Sequence, residues 1–406
     1  AGKWQCDNGA PTGAGTDAML DSISGVSTQF ALDADQIAIR DMARAFAAET
    51  LAPNAVAWDE AKHFPVAEMR KAAALGMGGI FVTEDVGGSA LSRLTGTLIF
   101  EALATGCPTT SAFMSIHNMT ASLIDAFGSD EQRRHWLPKL CAMEFLASYC
   151  LSEPGAGSDA AALATRAVRD DGNYVLNGQK QFISGAGASD LYLVMARTGG
   201  EGPSGISAFV VPADTPGLSF GANERKMGWN AQPTRAVIFE NARVPADNRL
   251  GAEGSGFKIA MAGLDGGRLN IAACSLGGAQ CALDKTLAYM SNRKAFGRTL
   301  DQFQALQFRL ADMATQLEAS RALLWHAAAA VDRKDANATQ LAAMAKRFVT
   351  DACFEVANQA LQLHGGYGYL SEYGIEKIVR DLRVHQILEG TNEIMRLIVA
   401  RSLVGR

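Results

Sequence analysis

The chain has 406 residues, 48% of them hydrophobic, and a formal charge of -5 from 37 Lys and Arg against 42 Asp and Glu. That length exceeds one compact core and calls for two or three domains, while the acidic balance excludes a broad basic surface, so neither nucleic acid nor an anionic membrane is an expected partner. No apolar run approaches the ~20 residues of a membrane span. The seven cysteines (Cys6, Cys107, Cys141, Cys150, Cys274, Cys281, Cys353) and six histidines show neither CxxC nor ligand spacing; no metal, no disulfide framework and a reducing compartment are expected.

Residues 1–30 are rich in Gly, Ala, Asp, Ser and Thr, lack periodic apolar positions and do not begin with Met. They read as a flexible tail left by processing or expression. From Leu32, the residues Ile39, Met42 and Phe46 recur at helical spacing until Pro53, and helical segments at 66–75, 93–104, 111–127 and 130–141 follow between Gly and Pro breaks. This predicts an N-terminal all-α domain over 31–145. Near Phe145 the period changes. Asp170-Asp171-Gly172-Asn173, Asn177-Gly178, Gly199-Gly200 and Pro216-Gly217 read as turns punctuating strands at 174–176, 191–196, 206–211 and 236–239, a β-barrel-like middle domain over 146–257. After Gly256 the helical period returns, with Leu306, Leu310, Met313 and Leu317 on one stripe and Leu341, Met344 and Phe348 on another, which predicts a C-terminal helical bundle over 258–406. The fold class expected is α+β.

The apolar run Leu146 to Leu151 ends in Ser152-Glu153-Pro154-Gly155-Ala156-Gly157-Ser158-Asp159. Pro154 has a fixed φ and no N–H, which stops a strand. Gly155 and Gly157 lack a Cβ, so the backbone can approach a ligand and turn N–H groups toward it, while Ser152 and Ser158 add hydroxyls; the set suits a polyoxygenated ring or a phosphate. It is not a P-loop, which ends in Gly-Lys-Ser/Thr, nor a dinucleotide fingerprint, whose third glycine is replaced by Ala160. Taken alone, such a loop is more often a plain turn.

Three clusters accompany it in the C-terminal half. Arg293-Lys294-Ala295-Phe296-Gly297, followed by Phe303-Gln304, fits a solvated helix end and an anion site equally well. Gln362-Leu363-His364-Gly365-Gly366-Tyr367-Gly368-Tyr369 stops a helix, either as a turn or as a close backbone approach to a ring, with His364 read as a packed or capping side chain. In Ile387-Leu388-Glu389-Gly390-Thr391-Asn392-Glu393, a carboxylate between apolar residues and glycine is poorly solvated, which raises its pKa and suits it to act as a base near neutral pH. A helix cap at Thr391 or Asn392 with Glu393 in the first turn accounts for the downstream residues and leaves Glu389 unexplained.

Taken together, the four clusters, in this order and spacing, resemble the acyl-CoA dehydrogenase family over residues 31–406. The resemblance implies a helical, β and helical domain order and FAD as cofactor. It implies that Tyr149, Leu151, Ser152, Gly157 and Ser158, with Phe182, Ile183 and Ser184, hold the flavin, and that Ser158 also faces the CoA chain. It further implies a homotetramer in which Arg293, Phe296, Phe303, Gln304, Gln362, Gly365 and Gly366 come from the neighbouring subunit to the pyrophosphate and adenine, Thr391 and Glu393 complete the site after the base, and Asp265, Arg268 and Arg401 lie near the CoA portion of an acyl-CoA substrate. The family's base occupies one of two positions. In this chain one of them is Gly267 and the other is Glu389, which leaves Glu389 to take the α-proton while the β-hydrogen leaves as hydride.

The segments around Trp229, Gly267 and Leu388 are most similar to family members acting on short branched acyl groups. They imply isobutyryl-CoA as substrate, methacrylyl-CoA as product and a place in valine breakdown, with 2-methylbutyryl-CoA or a short straight-chain thioester as alternatives. The implied electron acceptor is an electron-transferring flavoprotein, and the implied compartment is the cytoplasm in a bacterium or the mitochondrial matrix in a eukaryote. Acyl-CoA oxidases of this fold usually carry an additional helical domain, for which 406 residues leave no room. A hydroxylase or non-catalytic flavoprotein scaffold on the same fold is the alternative of another class, and Glu389 argues against both.

Overall fold

The computed structural model describes residues 32–405, so the tail expected at 1–30 lies outside the described residues. Helix α1 (Ala34–Phe46) starts at Asp33, whose carboxylate accepts from the Gln36 N–H at 2.8 Å while the Gln36 side chain accepts from the Asp33 N–H at 3.1 Å. This reciprocal cap satisfies two otherwise orphaned amides. The helix continues as a π turn over Ala47–Leu51 and stops before Pro53. Next come α2 (Ala55–Ala61), α3 (Val66–Ala73), α4 (Arg93–Gly106), α5 (Pro108–Phe127) and α6 (Asp130–Cys141). With only seven residues, α2 is too short to display a period and was not anticipated. Pro108 in the first turn of α5 starts that helix earlier than its apolar pattern suggests, because the missing N–H is unpaired there in any case.

The middle of the chain supplies β1 (Ala147–Cys150), β2 (Arg166–Asp170), β3 (Asn173–Ser184), β4 (Leu191–Arg197), β5 (Ile206–Pro212), β6 (Leu218–Phe220), β7 (Thr234–Pro245) and β8 (Arg249–Leu250). The sheet order is β6-β7-β3-β2-β4-β5-β8, with β1 parallel to β4. Strand β4 is buried on both faces: Leu191, Leu193 and Met195 pack with the helices, and Tyr192, Val194 and Ala196 with the sheet's own core. A strand covered on both sides reads as an unbroken apolar run.

One expectation fails here. Asn177-Gly178 is not a turn between strands; β3 runs through it with a register shift against β7 between Leu176 and Gly178. Gly178 has φ +145°, and a Cβ there would lie 2.6 Å from the Thr165 hydroxyl. The pair is a β-bulge, which shares its residue types with tight turns.

The remaining elements are α7 (Gly256–Asn292), β9 (Lys294–Ala295), β10 (Arg298–Thr299), α8 (Gln304–Asp332), α9 (Ala338–His364), α10 (Ile375–Arg383) and α11 (Asn392–Val404). Along α9 the predicted stripe Leu341, Met344 and Phe348 is only partly buried, whereas Ala342, Ala345, Lys346, Val349 and Cys353 face the interior. Helices packed at close range select small residues, so side-chain size misreads the inner face. Among the described residues no helix is long and apolar enough to cross a membrane.

Candidate active site

The chain between α10 and α11 makes a short 3-10 turn, Val384–Gln386, and the Leu388 N–H donates to the Val384 carbonyl at 3.0 Å. Two left-handed residues follow, Glu389 at φ +55° and Gly390 at φ +86°. Such a conformation is strained for glutamate and is retained only where the surroundings over-determine it. Thr391 then caps α11, its hydroxyl accepting from the Ile394 N–H at 3.3 Å.

The turn drives the Glu389 side chain against α7 at Gly267. A Cβ on residue 267 would lie 2.5 Å from Glu389 Oε2 and 3.0 Å from Met119 Sδ. Only glycine leaves that carboxylate room. Glu389 Oε2 is buried and has no hydrogen-bond partner. Burial pushes this carboxyl up to about 7, opposed by the nearby Arg268 and Lys346 charges. It therefore titrates where a general base at neutral pH must.

Arg268 and Asp265, one turn apart on α7, pair at 2.6 Å, and Asp265 also accepts from the Thr339 hydroxyl at 2.8 Å. Arg268 Nε is buried without a partner. On β1 the half-buried Tyr149 donates to the Ala260 carbonyl at 3.4 Å, and burial, with the Glu389 charge second, pushes its phenol up. Tyr149, Gly267, Arg268 and Glu389 are thus brought together from β1, α7 and the α10–α11 turn. Arg401 lies exposed on the last turn of α11, and Glu393 is exposed in its first turn beside Arg396.

A second group forms one rim between β1 and β3. The Ser152 carbonyl accepts from the Gln181 N–H at 2.9 Å, which places the Ser152–Ser158 loop beside Phe182, Ile183 and Ser184. Phe182 is left-handed at φ +60° with 67% of its surface exposed, whereas Ile183 and Leu151 are buried. The Ser184 carbonyl accepts from the Ser148 hydroxyl at 2.6 Å. Nothing lies within 4 Å of a Cβ built on Gly155 or Gly157, and Ser158 is exposed. Beneath the loop, Lys180 Nζ donates to Glu153 Oε1 at 2.7 Å and to the Leu151 carbonyl at 3.1 Å, and the Glu153 carboxylate accepts from the Ala164 and Thr165 N–H groups. The loop hangs from a buried ion pair.

A third group stands apart. Arg293 ends α7, and the β9–β10 hairpin carries Phe296 at its tip, left-handed at φ +50° and 96% exposed. Phe303 packs edge-on to Phe296 at 6.3 Å just before Gln304 opens α8. Arg293, Gln362, Gly365 and Gly366 line a groove of about 650 Å³. His364 beneath it stacks on Tyr289 at 4.4 Å, with its Nδ1 against the Ala360 carbonyl at 2.8 Å, a packed side chain. Among the described residues, no hydrogen bond or ring contact joins this group to the Glu389 group.

Sequence reasoning missed the ion pair of Glu153 with Lys180 and the buried Lys346, whose Nζ donates to the Gly390 carbonyl at 2.7 Å and to Asn392 Oδ1 at 2.9 Å. Lys346 lies off the large-residue stripe from which the inner face of α9 was read, so no local signal marked it as buried. It also missed the buried chain in which the Trp229 indole donates to His385 Nε2 at 3.2 Å, His385 Nδ1 meets the Ser275 hydroxyl at 2.6 Å, and Asp381 accepts from the Trp229 N–H at 2.7 Å. Burial drives His385 down to about 3, so the ring is neutral and anchors the segment before Glu389 to α7 and to the β domain.

The domains of known proteins described as "Acyl-CoA dehydrogenase, N-terminal domain", "middle domain" and "C-terminal domain" match residues 33–144, 148–242 and 254–404. The chain belongs to the acyl-CoA dehydrogenase family, FAD-dependent oxidoreductases. It is 55% identical over 394 residues to the mitochondrial isobutyryl-CoA dehydrogenase of Bos taurus, covering 97% of this chain and 95% of that protein. Its fold superposes on the butyryl-CoA dehydrogenase of Megasphaera elsdenii with a TM-score of 0.90 at 37% identity, over 92% of this chain and 99% of the other. A chain in a structure of the electron transferring flavoprotein of Acidaminococcus fermentans matches with a TM-score of 0.91 at 41% identity, over 93% of this chain and 100% of that one.

Proposed function

We propose that this enzyme removes the α- and β-hydrogens of a short branched acyl-CoA, isobutyryl-CoA, giving methacrylyl-CoA in valine breakdown, and that Glu389 is its base. The observation that carries the reading is the Glu389 carboxylate, buried, with an unpartnered oxygen, in the space left by Gly267. A carboxylate held near pH 7 and free of competing donors is ready to take the α-proton of a thioester. The Glu389 N–H donates to no backbone carbonyl among the described residues, which suits it to polarise the thioester oxygen as negative charge develops there. Asp265, Arg268, Arg401 and Ser158 are assigned to the CoA portion.

The residues fit FAD. Gly155, Gly157, Gly365 and Gly366 each present open backbone where a Cβ would project, and the exposed Phe182 and Phe296 rings offer stacking faces beside hydroxyls and an arginine. Tyr149, Leu151, Ser152, Gly157, Ser158, Phe182, Ile183, Ser184, Thr391 and Glu393 are assigned to the flavin. Arg293, Phe296, Phe303, Gln304, Gln362, Gly365 and Gly366 are assigned to its pyrophosphate and adenine in the neighbouring protomer of a homotetramer, a reading supported by the separation of this group from Glu389. FAD, when bound, accepts the β-hydrogen as hydride. The electrons then pass to an electron-transferring flavoprotein, in the mitochondrial matrix of a eukaryote or the cytoplasm of a bacterium. Three functional domains are assigned, 31–145, 146–257 and 258–406.

Anaerobic stopped-flow bleaching of the bound flavin by isobutyryl-CoA tests the reading. Glu389→Gln is expected to keep FAD and bind thioester while slowing reduction by at least ~10²–10⁴-fold. Near-normal bleaching by the variant would remove Glu389 as base.

A further inference from the structure

The base sits on two consecutive left-handed residues, and the contact that holds them comes from α9. Lys346 is fully buried, and its ammonium bonds the Gly390 carbonyl at 2.7 Å and Asn392 Oδ1 at 2.9 Å. Asn392 is itself fixed: its amide N–H groups donate to Thr350 Oγ1 at 3.0 Å and to Asp351 Oδ1 at 2.7 Å. Removing an ammonium from water is costly, and two short charge-assisted bonds to one turn are what offset it here. Both bonds run from α9 to residues just after Glu389. Both grip the residues that flank the base.

We propose that Lys346 is a positioning residue for the dehydrogenation: its buried ammonium clamps the Gly390 carbonyl and Asn392, holds the left-handed Glu389–Gly390 turn, and so aims the Glu389 carboxylate and N–H at the substrate. The inference rests on Glu389 being the base. The charged and titratable groups facing Glu389 are Arg268 from α7, Lys346 from α9 and Tyr149 from β1, with Asp351 and Glu393 acting on Lys346. Burial brings Lys346 down to about 8, so it is cationic in the range where Glu389 ionises and favours the carboxylate form. Taking that cation away raises the pH needed to ionise the base.

The test compares Lys346→Met and Asn392→Asp with wild type as FAD-loaded enzymes, reading flavin content, kcat and KM for isobutyryl-CoA, and kcat/KM against pH. Lys346→Met is expected to retain FAD, lose about tenfold to hundredfold in kcat with KM little changed, as a misplaced reacting group does, and move the acidic limb of the profile to higher pH. Asn392→Asp keeps an acceptor for Lys346 but loses the amide donors to Thr350 and Asp351, sets a second carboxylate beside Asp351 and adds a negative charge close to the base, so it should lower kcat and move the same limb upward. Should Lys346→Met fail to fold, the Asn392→Asp limb decides alone. A wild-type limb in a folded Lys346→Met, or in Asn392→Asp when that variant alone is available, overturns the proposal. Bleaching that survives Glu389→Gln instead overturns the base assignment, so the two failures are told apart.

Discussion

Glu389 and Gly267 behave as one unit. A Cβ at position 267 meets the far end of a flexible side chain, so Gly267→Ala should fold and retain FAD while pushing the carboxylate out of line. A loss of kcat on the order of 10–100-fold is expected, and steady-state kinetics beside a thermal melt would check it; unchanged kcat would show that the carboxylate tolerates displacement. The direction of the pH dependence follows from the same burial. With Glu389 as the proposed base, a carboxyl raised to about 7 is protonated below that pH, so kcat/KM should rise with pH through a half-maximal point near 7 in the wild type. A flat profile between pH 5 and 8, on the order of the whole titration range of a single group, would mean that burial does not govern the step.

The strand-to-loop transition after β1 depends on a buried pair. Lys180 is fully buried against Glu153, which in turn holds the Ala164 and Thr165 amides, so one ion pair ties the start of the Ser152–Ser158 loop to the chain entering β2. Lys180→Met leaves the Glu153 charge buried and unpaired, which should cost about 3–5 kcal/mol in chemical denaturation and loosen FAD. The double change Lys180→Met with Glu153→Gln should recover part of that loss, and a single variant with wild-type stability and FAD content would show that the brace is idle. Neither residue stood out in the sequence. Glu153 lay inside a motif read for its glycines and serines, and Lys180 followed an Asn-Gly pair read as a turn where the structure has a bulge.

The two half-sites concern the assembled enzyme. Arg293 and Gln362 line a groove that no hydrogen bond or ring contact among the described residues joins to Glu389, so under the proposed assignment a second protomer would supply one half of the FAD site. Arg293→Glu should then weaken FAD retention and tetramer formation together, because binding is linked to assembly. Size-exclusion with light scattering on apo and FAD-loaded protein reads both, and a fully loaded tetrameric variant would make the contact dispensable. Substrate choice is also a property of the whole pocket. At ~1–3 kcal/mol per methylene, preference should be graded: isobutyryl-CoA first in kcat/KM, 2-methylbutyryl- and butyryl-CoA next, octanoyl-CoA far behind. Faster turnover of octanoyl-CoA would refute the substrate assignment and leave the family untouched.

The order of helical, β and helical segments was legible in the chain because its signals are local, a period and Gly-rich breaks; the family was legible in four clusters of one order and spacing, and Glu389 was proposed from a carboxylate between apolar neighbours. Packing decided the rest. That Gly267 borders the Glu389 carboxylate, that Lys346 grips the turn beyond it, and that Lys180 finds Glu153 are contacts between residues far apart in sequence. A charge buried beside its partner and one exposed to water are written with the same letter, and only the surrounding fold sets their solvation and so their chemistry. The inner face of α9, lined by Ala342, Ala345 and Val349 rather than by its larger side chains, follows the same logic, since close approach of helices selects for small size that no local pattern reveals.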